Sequence, residues 1–446
     1  MTRHILFGAC IAGSVLALSA CDEREVILPG LRETPDTILQ SDTPVPVDPS
    51  KPQNLSQPIS LASASAAADW PAWPVSEIGR NPHPALGAAP ALAWSANIGQ
   101  GDSRRYRITA NPVVSGGRIF TLDSHAQVTA TGTGGETLWT HDLTPTRDRV
   151  GDAAGGGLTI GGGTLFVSSG FGKLTALDPA TGAEKWVQEL DATGNGTPTY
   201  ADGLVYLVAG DRTAWAIEAE TGRIRWQLDS VEDVNNVQGG PAPAVTDRYV
   251  IFSYGSGELQ AAFRQGGLSI WNAAIVGGRP GRALAQVEDI TGDPVVVGDR
   301  VIVGNQSGRL VALGRDNGER LWTIEEGLQG PAWPAGGSLF VVSDENELLR
   351  ISAADGSRIW GVDLPNFTRP SASARRRGEI FAHYGPVVAG GRVLVAGSDG
   401  WLRQYDPRDG SLIGQVDIPG GASSAPVVAG GVMYIVNARG QLLAYR

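Results

Sequence analysis

A tryptophan follows a hydrophobic anchor at a nearly constant distance six times along this chain of 446 residues. The anchors are Pro112, Leu158, Pro198, Pro243, Pro294 and Ala332, and the tryptophans are Trp139, Trp186, Trp226, Trp271, Trp322 and Trp360. The separation is 27 residues in the first pair and 28 in the other five. Pro386 and Pro426 begin the same pattern without the tryptophan. So tight a register means that one supersecondary unit is repeated, and a repeat architecture limits the possible folds more than any other property.

The unit from Pro198 to Trp226 shows the local grammar. Short apolar runs (Pro198-Thr199-Tyr200, Leu204–Val208, Thr213–Ile217 and Arg223–Leu228) are separated by Asp202-Gly203, Gly210-Asp211-Arg212 and Glu220-Thr221-Gly222. Alternating apolar residues predict strands, and glycine stands where a hairpin needs positive φ. Each unit is therefore expected to be a four-stranded antiparallel meander. The Asp/Thr–Gly turn recurs before Trp186 and, in variant form, before Trp322 and Trp360. The tryptophan on the last strand offers a large apolar face to the next unit. Anchor spacings of 46, 40, 45, 51, 38, 54 and 40 residues suit propeller blades rather than short solenoid coils.

The ends of the repeat decide between a ring and an open array. The last unit begins at Pro426 and reaches Arg446 before its fourth strand. Ala91-Leu92-Ala93-Trp94-Ser95-Ala96 is a fourth strand without the preceding three. Joining the two predicts an all-β, eight-bladed β-propeller over residues 69–446, closed by the N-terminal strand near Trp94. Gly414 stands where the seventh tryptophan would fall, which leads us to expect a looser interface there.

The N-terminus reads as a targeting segment. Arg3 and His4 precede an apolar stretch from Ile5 to Leu18, which ends in Leu18-Ser19-Ala20-Cys21. This resembles a bacterial lipobox, with residues 1–20 a signal peptide and Cys21 the lipidated first residue of the mature chain. The other cysteine, Cys10, lies in the removed segment, so neither a disulfide nor a cysteine-based metal site is expected. Asp22 leaves inner-membrane retention open. Residues 21–68, rich in Pro, Ser and Ala, read as a disordered tether. Trp70 and Trp73 either dock on the folded domain or serve as a handle for a partner.

The formal charge of −11 argues against a nucleic-acid binder. His83, His125, His141 and His383 show no local metal-binding spacing, and neither a Gly-x-Ser-x-Gly elbow nor a phosphate loop occurs. No catalytic set, cofactor site or metal site is expected, although dispersed residues could meet in a central channel. Arg375-Arg376-Arg377, in one of the two longest connections, reads as a solvated loop.

The turn-plus-tryptophan grammar resembles the repeat of quinoprotein dehydrogenases, which bind pyrroloquinoline quinone in an eight-bladed propeller. That resemblance keeps a quinoprotein-like enzyme as the alternative, but the adjacent cysteines typical of the family's cofactor site are missing. Lipobox, tether and eight repeats together resemble the BamB family, lipoproteins of the outer-membrane β-barrel assembly (BAM) machine. The resemblance implies a noncatalytic scaffold, held by its lipid at the periplasmic face of the outer membrane. Its implied partners are BamA, the other BAM subunits and nascent outer-membrane proteins. It also implies two BamA-contacting loops. The first aligns with Asn235-Asn236-Val237-Gln238-Gly239, where Gln238 replaces the family's arginine. The second aligns with Asp289-Ile290-Thr291-Gly292-Asp293-Pro294-Val295-Val296, where Asp289 matches and Thr291 replaces a second aspartate. Val237, Gln238 and Asp289 are the candidate partner-binding residues.

Overall fold

The computed structural model describes residues 53–73, 76, 80–194, 196–210, 212–230, 240–279, 290–367 and 380–446. These form eight four-stranded antiparallel sheets arranged as the blades of a propeller. Seven blades are consecutive meanders. In the third, Thr199–Ala201, Leu204–Ala209, Thr213–Glu218 and Ile224–Asp229 pair in chain order. The eighth takes its fourth strand, Leu92–Asn97, from the other end of the propeller; it pairs with Gln441–Tyr445. Ala91 and Arg446 exchange backbone hydrogen bonds at 2.7 and 2.9 Å, extending the seam.

Burial follows position in the blade. The second strand Leu204–Ala209 is buried at every residue, because it packs between neighbouring sheets on both faces. The outer strand Ile224–Asp229 has one exposed face and alternates.

The repeated tryptophans lock each blade to the next. Each indole N–H donates to a carbonyl in the turn before the next blade's outer strand. Trp186 reaches Ala219 at 3.0 Å, Trp226 reaches Arg264 at 3.0 Å and Trp271 reaches Arg315 at 2.9 Å. Trp139, Trp322 and Trp360 do the same to Pro179, Ala353 and Pro407, and Trp94 bonds Thr133. Each ring lies on the glycine of that turn. At Gly222, φ is +74°, and a Cβ there would stand 2.8 Å from the Trp186 ring. Glycine thus supplies both the left-handed backbone and the space for the neighbour's indole.

Gly414 finds its reason in the ring closure. Its indole would have to dock on the turn before the outer strand of the eighth blade. The third and fourth strands of that blade come from distant parts of the chain, so no hairpin turn joins them. A different lock occupies the place. Buried Arg392 donates to the carbonyl oxygens of Leu86 (3.3 Å), Gly87 (2.5 Å) and Ala88, and to Gln404 Oε1 at 2.6 Å. Gln404 is the cross-strand partner of Gly414. The seventh interface therefore carries a guanidinium latch on the chain entering the closing strand.

The expected tether boundary near residue 69 moves. The compact unit begins at Asn54. Asn54 and Leu55 pair with the outer strand Arg358–Asp363: Leu55 N–H donates to Ile359 O at 2.8 Å, and the Asn54 amide exchanges two 2.9 Å bonds with Gly361. Arg350, 2% exposed, donates to the carbonyls of Gln57, Pro58, Pro407 and Arg408 and to Ser338 Oγ. His83 donates from Nδ1 to Ala62 O (2.6 Å) and accepts at Nε2 from Gly391 N–H (2.8 Å). Polar composition suggested a disordered spacer here. The docking contacts come from blades far away in sequence, which a composition argument does not register.

Candidate functional site: the central channel and its rim

Trp70 and Trp73 are buried, at 3% and 8% exposure. Trp70 forms a backbone bridge with Val114 of the first blade and stacks on Trp333 of the sixth (centroids 6.0 Å, interplanar angle 22°). Pro71 O accepts from Ile160 N–H, and Ser76 Oγ accepts from Val245 N–H. The N-terminal segment therefore crosses the propeller from blade to blade. Trp73 lines two cavities. One, of about 490 Å³, lies beside the turns between first and second strands (Gly161–Gly163, Ala201-Asp202). The other, of about 280 Å³, is bounded by the residues that begin the inner strands.

Those inner-strand starts are knitted together. Thr197 N–H donates to Gly240 O (3.1 Å), Thr291 Oγ1 to Leu328 O (2.6 Å), and Ala425 N–H to Asn111 Oδ1 (2.9 Å). Asp293 Oδ1 accepts from Ala242 N–H at 2.6 Å. Asp293 has some exposure to the channel, but protein surrounds it, and this burial pushes its carboxyl up to about 7. His383 Nε2 donates to Pro365 O at 2.8 Å, and burial holds this imidazole below its ordinary value. Tyr384 is pushed up to about 12 by burial, with the charge of Asp102 adding to the effect.

Val237, Gln238 and Asp289 lie outside the described residues, as do Cys21 and Arg375-Arg376-Arg377. The residues to which the two candidate loops return are described. They are Gly240–Ala242 and Ile290–Asp293; Gly240, Pro241, Thr291 and Asp293 line the 280 Å³ cavity, and the Asp293–Ala242 bond joins the two segments. On the approach to the second loop, Arg279 binds Asp344 at 3.0 Å and Glu326 at 2.6 Å. Burial pulls its guanidinium down, and the hydrogen bond and charge of Asp344, with the charges of Glu326 and Glu345, more than reverse that pull.

Asp293 had a sequence signal that the motif search passed over. The residues just before the eight anchors are Asn111, Gly157, Thr197, Ala242, Asp293, Pro331, Gly385 and Ala425. Asp293 alone among them is charged, at a position that the repeat points toward the axis.

The channel does not fit the cofactor of the quinoprotein alternative. Among the described residues, the lining of its 280 Å³ cavity contains one carboxylate and neither lysine nor arginine, and Trp73 forms part of the wall. Among the described residues, no group of three or more His, Cys, Asp or Glu side chains could hold a metal ion.

The assembly factor BamB of Shewanella oneidensis is 25% identical over 396 residues, covering 86% of this chain and 95% of the relative. That of Yersinia pestis is 24% identical over 363 residues, covering 80% and 89%. The crystal structure of BamB from Moraxella catarrhalis superposes with a TM-score of 0.66 at 18% identity, over 80% of this chain and all of that one. A europium-containing methanol dehydrogenase superposes with a TM-score of 0.61 at 14% identity, over 82% and 89%, showing a shared fold. The family model described as outer membrane protein assembly factor BamB matches residues 124–362 and 368–446, and the chain belongs to that family.

Proposed function

We propose that this chain is a noncatalytic scaffold of the outer-membrane β-barrel assembly machine, lipid-anchored through Cys21 on the periplasmic side. It binds the periplasmic domains of BamA and assists the insertion of outer-membrane proteins. The family match over 124–362 and 368–446 carries this reading. The return points of the two candidate loops support it, because Gly240–Ala242 and Ile290–Asp293 meet at one cavity and are joined by a hydrogen bond. Val237, Gln238 and Asp289 then belong to connections that end on a common rim, where one partner surface reaches both. Outer blade edges offer a second mode, pairing with extended client strands. The sixth blade's edge is already taken by Asn54 and Leu55.

The test is a pull-down of the tagged full-length chain from its own envelope in mild detergent. BamA and further assembly subunits are expected in the eluate, with BamA reduced by Val237→Asp or Asp289→Arg and Tm unchanged. Recovery of no assembly subunit with the unmodified chain rejects the reading. A Cys21→Ser chain is expected in the soluble periplasmic fraction; if it stays in the membrane, the anchor assignment fails.

A further inference from the structure

The 280 Å³ cavity at the rim is a built compartment with an unmatched charge. Asp293 supplies the one carboxylate among the described lining residues, which include no lysine or arginine. Ala242 N–H and the residue's own backbone amide bond this carboxylate, but among the described residues no cation pairs with it. A smaller cavity of about 30 Å³ connects Asp293 with Trp73, Asn111 and Thr197. Trp73 lines all three cavities and shares two of them with Asp293. Tyr384 adds a second aromatic ring to the wall.

A lone carboxylate enclosed by protein is costly to ionise until a cation joins it. An aromatic surface beside it attracts the same charge through the ring quadrupole. The compartment lies just below the usual range for small-molecule pockets, roughly 300–1,000 Å³, and is large for water alone. Its size suits the end of a long side chain or a small amine.

We propose that the channel is a receptor for a single ammonium or guanidinium group, with Asp293 as counter-ion and Trp73 in its wall. The group belongs either to a small molecule or to a lysine or arginine that a protein partner inserts at the rim. The raised proton affinity of Asp293 agrees with this, since an arriving cation restores the ionised form that burial disfavours.

The test uses the detergent-solubilised full chain with ¹⁵N-labelled tryptophan, the Trp73 indole signal being assigned with Trp73→Phe. The probes are Nα-acetyl-lysine methylamide and Nα-acetyl-arginine methylamide, with Nα-acetyl-norleucine methylamide as neutral control. At least one charged probe is expected to shift the Trp73 signal saturably, and the neutral one not. Asp293→Asn keeps an oxygen for Ala242 N–H and is expected to weaken binding by about tenfold or more. Gln329→Trp, at an exposed position on the mouth, is expected to block entry with the buried wall intact. Silence of both charged probes, an equal shift by norleucine, or unchanged affinity in Asp293→Asn each overturns the proposal. With probe binding established, an envelope pull-down distinguishes the sources. Capture reduced by Asp293→Asn assigns the cation to a protein partner, and unchanged capture assigns it to a small molecule. A pull-down that recovers no assembly subunit sinks the scaffold reading and leaves the titration to decide this one.

Discussion

Replacing Trp360 by alanine measures what the blade-to-blade lock contributes. The indole is fully buried, packs 5.9 Å from the Phe340 ring and donates to Pro407 O at 3.1 Å. A tryptophan buries roughly 150–250 Å². At about 25 cal/mol per Å² its loss costs roughly 4–6 kcal/mol, at the upper end of large-to-alanine core substitutions. The hydrogen bond adds little, because Pro407 O keeps a second donor in Arg350 Nη1 at 3.1 Å. The unit from Asn54 to Arg446 has 446 − 53 = 393 residues. With an unfolding entropy of roughly 2.1 cal/mol/K per residue, the loss becomes a fall in Tm of about 5–7 °C. Trp139 makes the same bond from a half-buried position, so Trp139→Ala is expected to cost about half as much. Scanning calorimetry of the three proteins at one scan rate supplies the comparison. Equal shifts for the two variants, or a fall below about 1 °C for Trp360→Ala, would refute the argument that burial of the indole sets the strength of the lock.

Three further outcomes follow from the geometry. Gly414→Trp, which completes the repeat pattern, is expected to lower Tm by the equivalent of about 1–3 kcal/mol: no turn receives its indole, and its Cβ would stand 3.2 Å from Gln404 Nε2. A rise in Tm would mean that repeat drift, rather than the missing turn, explains the glycine. Arg350→Met removes the donors to Gln57 and Pro58, and limited proteolysis is expected to cut residues 54–68 faster while the propeller core persists. Unchanged cleavage would show that Arg350 does not hold the segment. For Asp293, a folded value of about 7 against an ordinary 3.8 means that the folded state binds more protons between these limits. Stability is therefore lost as pH rises from about 4 to 7, by an amount on the order of 4 kcal/mol at most. Asp293→Asn imitates the protonated acid and is expected to flatten that part of the Tm–pH curve; an unaltered slope would place the titration elsewhere.

The propeller was legible because its information is local and repeated. Each anchor and its tryptophan belong to one sheet about 28 residues long, and strand alternation and turn glycines depend on neighbours a few residues away. Even the closure could be read, since Trp94 completes a blade whose other strands end at Tyr445. The partner-binding assignments at Val237, Gln238 and Asp289 came from family resemblance, and these residues lie outside the described structure. Asp293 was visible as a charge at a position otherwise uncharged, but its meaning needed the channel around it.

The sequence by itself determined the blade, the number of blades and the strand that closes them, because each follows from short-range patterning repeated along the chain. The tertiary structure alone decided three things. Residues 54–73 are seated on the propeller, Trp73 lines its channel cavities, and Gly414 faces an interface without a receiving turn. All three depend on contacts between residues hundreds of positions apart, such as Trp70 on Trp333 and Arg392 on Gly87. No periodicity records such contacts, since each is made once and exists only after the ring has brought its two ends together.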